Sequence, residues 1–408
     1  MRYAYRWRFA AILTSVIGLV SLVVGAVPAG AADFYDPPSP LPSGSNGDII
    51  RHEPSQFFLD PTKLVPAPAS VQRIMYRSTD THGDPVAVTG TVLTPTAPWN
   101  GPGPRPIISY AAGTQGVGDQ CAPSKALASG LEYEGPFLSG LLARGYAIVM
   151  TDYEGLGTPG VHTYVNRKAE GYAVLDAIRA AQRLPEAGLP ADGPVAIAGY
   201  SQGGGAAAAA AELQSSYAPE LHLKGTYAGA PPADLAAVAD NLDGHYAVGF
   251  LMFAVASMNY AYPDLHIPAV LNDKGKALQT EVEQECTADA LLKHAFTRTA
   301  DLTADGRPIT AYLGEEPFAS AVAEQRIGNI KPTSPVLVAH SAGDDIVPFD
   351  QGRQMARDWC AKGATVQFDT LGVPTHVGGF AAAYPLALQW LDNRLRTTEA
   401  APNNCGEF

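Results

Sequence analysis

Val195-Ala196-Ile197-Ala198-Gly199-Tyr200-Ser201-Gln202-Gly203-Gly204-Gly205 reads as a strand, a sharp turn and the start of a helix. Val195–Tyr200 is apolar and short, as a strand buried on both faces should be. Gly199 to Gly203 has the form G-x-S-x-G, and Gly204, Gly205 and Ala206–Ala211 carry it into a helix of small side chains. Five residues with three fixed positions arise by chance. The strand before and the helix after make the pattern a nucleophile elbow. Such a turn is tight and strained, so its flanking residues must be small. It lifts the Ser201 hydroxyl above the sheet at a helix N-terminus, where the dipole favours developing negative charge. No Gly-Lys-Ser/Thr follows, which excludes a phosphate-binding loop. The alanine run carries no chemistry and lets the helix pack closely on the sheet.

Outward from the elbow, strands and helices alternate. Strands are expected at 70–78 and 86–94, joined by a turn at 80–85, and at 106–112, 146–151, 195–200, 223–228, 335–340 and 365–371. Helices are expected at 135–144, 169–184, 203–216, 351–361 and 379–395. This is the pattern of an α/β protein with a mostly parallel, doubly wound sheet. The alternation stops between 232 and 331, just after Pro231-Pro232, and that stretch reads as helical and irregular. It is expected to be a helical cap inserted between two strands rather than an independent domain, because the alternation resumes and completes one sheet. The core is then 32–231 and 332–408.

A serine hydroxyl needs a base to take its proton. Behind such an elbow the order is serine, acid, histidine. His376 sits in the loop-like Gly372–His376, after the last strand and just before the final helix, where the base belongs. His340, His222, His245, His266 and His294 precede the acid and read as packed, surface or cap residues. Asp344 opens the loop after the 335–340 strand and is the expected acid, which holds the imidazole in one tautomer. Asp345 is the adjacent rival, and the one not used is expected to cap the next helix or face solvent. An oxyanion hole needs two backbone N–H groups. Gln202 follows the serine and supplies one; Thr114 or Gln115, in the glycine-flanked loop after the 106–112 strand, supplies the other. The chemistry needs no metal and no organic cofactor.

The first residues look like an address. Arg2, Arg6 and Arg8 precede an uncharged apolar run from Phe9 to Val27, and Ala29-Gly30-Ala31 gives a small-x-small cleavage pattern. Residues 1–31 therefore read as a secretory signal peptide. A membrane anchor is the alternative, since the run is long enough to span, but it ends in Pro28 and small residues where cleavage is wanted. Residues 36–47 are a Pro/Ser/Gly-rich extended lead-in. With 408 residues, 46% hydrophobic and 16% charged, the chain can build a packed core. Its net charge of −13 and lack of a basic run exclude nucleic-acid binding through phosphate neutralisation. In an exported protein the four cysteines, Cys121, Cys286, Cys360 and Cys405, suggest two disulfides, with three pairings open.

Nearly the whole chain after the leader resembles the secretory lipase family, typified by fungal secreted lipase A and its actinobacterial relatives. The carrying motifs are Cys121–Ser124, Asp152–Gly155, the elbow, Ser216–Leu221, Asp344–Pro348, Cys360–Ala364 and Thr375–Val377. Three of these have no catalytic rationale, so their joint presence is specific. The resemblance implies an α/β-hydrolase with a helical cap, acting on acyl esters and triacylglycerols from outside the cell. It implies Ser201, Asp344 and His376 as the triad and Cys121–Cys286 and Cys360–Cys405 as the disulfides. Fungal members carry an acid at the position of Gln115, and they run on past the last cysteine whereas this chain stops at Phe408. No covering flap from such a tail is expected, and contact with a lipid interface is expected to be transient. A short-chain carboxylesterase is the second reading, and a serine peptidase of the same fold the third. Phe250, Leu251, Met252, Phe253 and Val255 form either an acyl-binding wall or cap core.

Overall fold

The apolar runs become strands. In a computed structural model that describes residues 33–408, one sheet holds nine strands. They are β1 (Ile49–Pro54), β2 (Ala69–Thr79), β3 (Pro85–Pro95), β4 (Ile107–Ala111), β5 (Ala147–Tyr153), β6 (Val195–Tyr200), β7 (Leu223–Gly229), β8 (Val336–Gly343) and β9 (Val366–Pro374). Their spatial order is β1-β2-β3-β5-β4-β6-β7-β8-β9. From β5 to β9 all neighbours are parallel, and β1, β2 and β3 extend one edge antiparallel. Every residue of β4, β5 and β6 is buried. Helices cover both faces of these strands, so they show no polar alternation.

The helices are α1 (Pro123–Ser129), α2 (Gly135–Ala143), α3 (Arg167–Arg183), α4 (Gln202–Tyr217), α5 (Leu235–Leu242), α6 (Val248–Ala261), α7 (Asp273–Val282), α8 (Thr287–Lys293), α9 (Phe318–Glu324), α10 (Phe349–Ala361) and α11 (His376–Arg396). Helices α5 to α9 all lie between β7 and β8 in the chain. Their apolar side chains form a cluster apart from that of the sheet. Val117, Tyr164, Ile346 and Val347 join it from loops beyond the strands' carboxyl ends.

Alanines 206–211 are all buried, so α4 lies close on the sheet. The polar side of this contact is satisfied too. Buried Glu212 accepts from Arg167 of α3 (2.6 Å), Trp359 of α10 (2.9 Å) and the Gly328 backbone (2.8 Å). One carboxylate thus ties α3, α4 and α10 and the chain returning to β8. A buried charge with all its partners fixes a geometry, whereas one without them is costly.

Three details differ from the sequence expectation. β1 carries too much charge to show a pattern, and is a half-exposed edge strand held by pairing to β2. α1 is seven residues long, too short for a period, and starts on Pro123 at its first position. The last helix starts at His376, three residues early, because the Thr375 side chain caps it by accepting from Gly378 N at 3.1 Å. His376 is therefore in a helical first turn, not in a loop.

Tyr35–Phe408 is one compact unit; of the other, Met1–Phe34, only Asp33 and Phe34 are described. The expected signal peptide and its cleavage site lie outside the described residues. Among the described residues no helix is long and apolar enough to cross a membrane. The disulfides are Cys121–Cys286 and Cys360–Cys405, with Cα atoms 5.5 Å apart in each.

Candidate active site

Ser201 stands between β6 and α4 at φ 60°, ψ −125°, a backbone conformation that an L residue rarely adopts. The turn closes because Ser201 N donates to Gly229 O at 2.9 Å and Gly205 N to Ser201 O at 3.0 Å. No side chain fits beside it. A Cβ on Gly199 would lie 2.2 Å from Gly203 O, and one on Gly203 would lie 2.0 Å from Ala111 O. The N–H of Gln202 is in the first turn of α4 and has no intrahelical acceptor. Its side chain is held from below: Nε2 lies 2.8 Å from His162 Nε2 and donates to Glu170 Oε1 at 2.7 Å. His162 Nδ1 faces Glu154 O at 3.0 Å. Burial lowers the His162 pKa to about 4, so its ring is neutral and Nε2 accepts from Gln202.

The β8–α10 loop and the start of α11 meet at two adjacent carboxylates. His376 Nδ1 is 2.7 Å from Asp344 Oδ2. Asp344 Oδ1 accepts from Ile346 N at 3.0 Å and Val347 N at 2.8 Å. Burial pushes the Asp344 pKa up, but hydrogen bonds from His340 and His376, the His376 charge and the Val347 N–H outweigh it. The carboxyl is held well below its usual range. His376 Nε2 is buried and has no hydrogen-bond partner among the described residues. Tyr200 OH donates to His376 O at 2.8 Å.

Two residues have contacts that the sequence did not suggest. His340 is fully buried, and its Nε2 lies 3.0 Å from Val347 O and 3.4 Å from Asp344 Oδ2. Asp345 does not cap α10; half-exposed, it accepts from His376 N at 2.8 Å and from Tyr246 OH at 2.9 Å. The paired acids thus divide the work, Asp344 on the ring of His376 and Asp345 on its backbone.

The loop after β4 places its two candidates differently. Thr114 lines a cavity with Ser201 and His376. Gln115 is not among that cavity's lining residues; its Nε2 donates to Glu132 Oε1 at 3.1 Å.

Residues 121–403 match the sequence model of a family described as secretory lipase. The chain belongs to the secretory lipase family. It is a secreted ester hydrolase of the α/β-hydrolase fold. It is 30% identical to the probable inactive lipase of Mycobacterium tuberculosis (strain CDC 1551 / Oshkosh), covering 90% of this chain and 84% of that one. It is also 30% identical to lipase A of Moesziomyces aphidis, covering 84% of this chain and 75% of that one. Candida antarctica lipase A in its closed state superposes with a TM-score of 0.79 at 25% identity, covering 92% of this chain and 88% of that structure.

In this secretory lipase the site opens onto apolar space. A cavity holds Ser201 and Gln202. Leu235, Ala239, Leu251 and Ala254 line both it and a second cavity. That second cavity is lined by apolar side chains from the segment between β7 and β8, with Tyr312 the one hydroxyl among them. The five residues 250–253 and 255 of α6 divide. Phe250, Leu251 and Val255 line cavities, whereas Met252 and Phe253 are fully buried core.

Glu281, Glu285 and His294 are the described residues whose donor atoms come within metal-binding reach of one another. The Lys293 ammonium already lies 2.9 Å from Glu285 Oε1 and 3.8 Å from Glu281 Oε1, so the charge there is met by the chain itself.

Proposed function

We propose that Ser201, His376 and Asp344 are the nucleophile, base and acid of an acyl-ester hydrolysis, and that the favoured substrate is a long-chain ester such as a triacylglycerol. The observation that carries the reading is the state of His376. Its Nδ1 is held by Asp344, while its Nε2 is buried, without a partner among the described residues, in the cavity that Ser201 lines. Asp344 fixes the tautomer with the proton on Nδ1, so Nε2 accepts. Ser201 Oγ attacks the ester carbonyl as its proton passes to Nε2. The tetrahedral oxyanion receives the N–H groups of Gln202 and Thr114. Nε2 then gives its proton to the departing alkoxide, leaving an acyl-enzyme, and water repeats the sequence to release the acid.

The acyl chain runs into the second, apolar cavity, with 232–331 acting as the cap over it. This favours a lipase over a short-chain esterase, because a cavity so nearly free of polar groups binds hydrocarbon and little else. On the other side of Ser201, Tyr133 and Val377 line the open cavity and are 49% and 69% exposed, which suits transient contact with a lipid surface.

The inactive label on the mycobacterial relative makes a direct test necessary. A fluorophosphonate probe should add to Ser201, and hydrolysis of p-nitrophenyl esters should rise from acetate toward decanoate. No adduct would end the catalytic reading. Activity confined to acetate and butyrate would replace lipase with short-chain esterase.

A further inference from the structure

Two carboxyls beside the site, Glu132 and Glu134, take no part in the proposed chemistry, yet the fold buries both. Burying a carboxyl is unfavourable unless its partners repay it. The partners here are ordered in an unusual way. Glu134 Oε2 accepts from Gly113 N at 2.9 Å. Tyr133 OH donates to Thr114 O at 3.4 Å. Glu132 Oε1 accepts from the Gln115 side chain at 3.1 Å. Three consecutive side chains therefore hold three consecutive residues of the loop after β4, in reverse order.

Each end of this clamp is anchored. Glu134 Oε1 accepts from Tyr110 OH of β4 at 2.7 Å. The Glu134 carbonyl accepts from Phe137 N and Leu138 N at the start of α2. Glu134 N donates to Glu132 Oε1 at 3.1 Å, which joins the two acids. The far side of the loop is pinned by Thr287, whose Oγ1 donates to Thr114 O at 2.7 Å and whose N donates to Gln115 O at 2.9 Å. Gly113 has no room for a side chain, since a Cβ would lie 2.3 Å from Tyr133 OH.

We propose that the Glu132-Tyr133-Glu134 turn is a positioning element for ester hydrolysis, and that Glu134 is its decisive residue, because it fixes the backbone from which Thr114 N–H is aimed at the oxyanion. This rests on the function proposed above. Both oxygens of Glu134 are engaged by the loop and β4, so it acts through Thr114 and not on the substrate. Burial first, and the neighbouring Glu132 second, push the Glu134 carboxyl well above its usual range. A glutamine keeps an oxygen that can accept from Gly113 N–H and sets its amide nitrogen against the Tyr110 hydroxyl, which can turn to accept from it.

Three variants test the assignment against p-nitrophenyl butyrate: Glu134→Gln, Glu134→Leu and Ser201→Ala, with Glu134→Met replacing Glu134→Leu if the latter does not fold. Loss of a whole oxyanion donor lowers turnover roughly 10²–10³-fold, and a misaimed one less. Glu134→Leu should therefore lower kcat roughly ten- to a hundredfold with KM within about twofold, since ground-state binding does not use the loop. It should slow fluorophosphonate addition to Ser201 in parallel. Glu134→Gln should keep kcat within about threefold of wild type, because its amide oxygen still accepts from Gly113 N–H. An unchanged kcat in Glu134→Leu, an effect on KM alone, or equal damage in Glu134→Gln would overturn the inference. If wild-type turnover depends on Ser201 while Glu134→Leu is fully active, only this inference fails. If Ser201→Ala is as active as wild type, the underlying function fails first.

Discussion

Ala254→Leu tests whether acyl chains pass from the cavity at Ser201 into the apolar one that shares its wall. Ala254 sits on α6 and lines both cavities, while its neighbours Met252, Phe253 and Ala256 face the packed core. The larger side chain adds three carbons at the shared wall without touching Ser201, His376 or Asp344. Burying a methylene contributes about 0.8 kcal/mol, and about 1.4 kcal/mol is a factor of ten in rate. Each methylene that no longer passes this wall therefore lowers kcat/KM about fourfold. If three to five are excluded, decanoate and palmitate esters should fall roughly 10²–10³-fold. Acetate and butyrate esters end before this wall and should stay within about twofold. The assay is kcat/KM along a p-nitrophenyl ester series from acetate to palmitate, with the thermal midpoint as a control. A parallel fall at all chain lengths would mean general damage to the fold. An unchanged slope with chain length would mean that acyl chains do not enter this cavity, and the case for a long-chain substrate would be lost.

Ser201→Ala or His376→Ala should each reduce turnover by about 10⁶ with the fold retained, and both together should do little more, because the residues act as a unit; pre-steady-state and steady-state hydrolysis of p-nitrophenyl butyrate checks this. Asp344→Asn should lower kcat on the order of 10⁴ by presenting the wrong tautomer, whereas Asp345→Asn loses only one acceptor for the His376 backbone and Tyr246 and should cost about ten- to a hundredfold; the reverse ranking would exchange their roles. Burial, offset in part by Gln202 and Val165 N–H, pushes the Glu170 carboxyl from 4.5 up to about 8. Between those values the unfolded chain has released a proton that the folded chain keeps, so this group's contribution to stability falls as pH rises through the window. Glu170→Gln ionises in neither state and should gain stability relative to wild type from pH 5 to pH 8. Urea midpoints at the two pH values measure it, and an equal difference at both would refute the assignment.

The α/β class and the position of the sharp turn at Ser201 were legible in the chain itself, because both depend on local chemistry. Apolar runs without alternation mark strands covered on both faces, and Gly199 and Gly203 stand where backbone oxygens leave no room for a Cβ. Asp344 and His376 were legible as candidates because each follows a strand that ends on the same side of the sheet. Other features were beyond reach. Asp345 differs from Asp344 by one peptide unit, and only the arrival of α11 decides which carboxylate meets the ring and which the backbone. Thr114 and Gln115 are both plausible donors in sequence, and only the assembled loop puts Thr114 on the wall of the cavity with Ser201 while the Gln115 side chain turns to Glu132. The apolar content of Val248–Ala261 shows no difference between Leu251 and Phe253, because a helix with core on one side and a cavity on the other is hydrophobic all round. Sequence determines what the backbone does over a few residues and which side chains carry chemistry. Hydrogen bonds and cavity walls made between residues far apart in the chain exist only once the sheet, the loops and the 232–331 segment are assembled, and those contacts alone decide which of several equivalent groups faces the substrate.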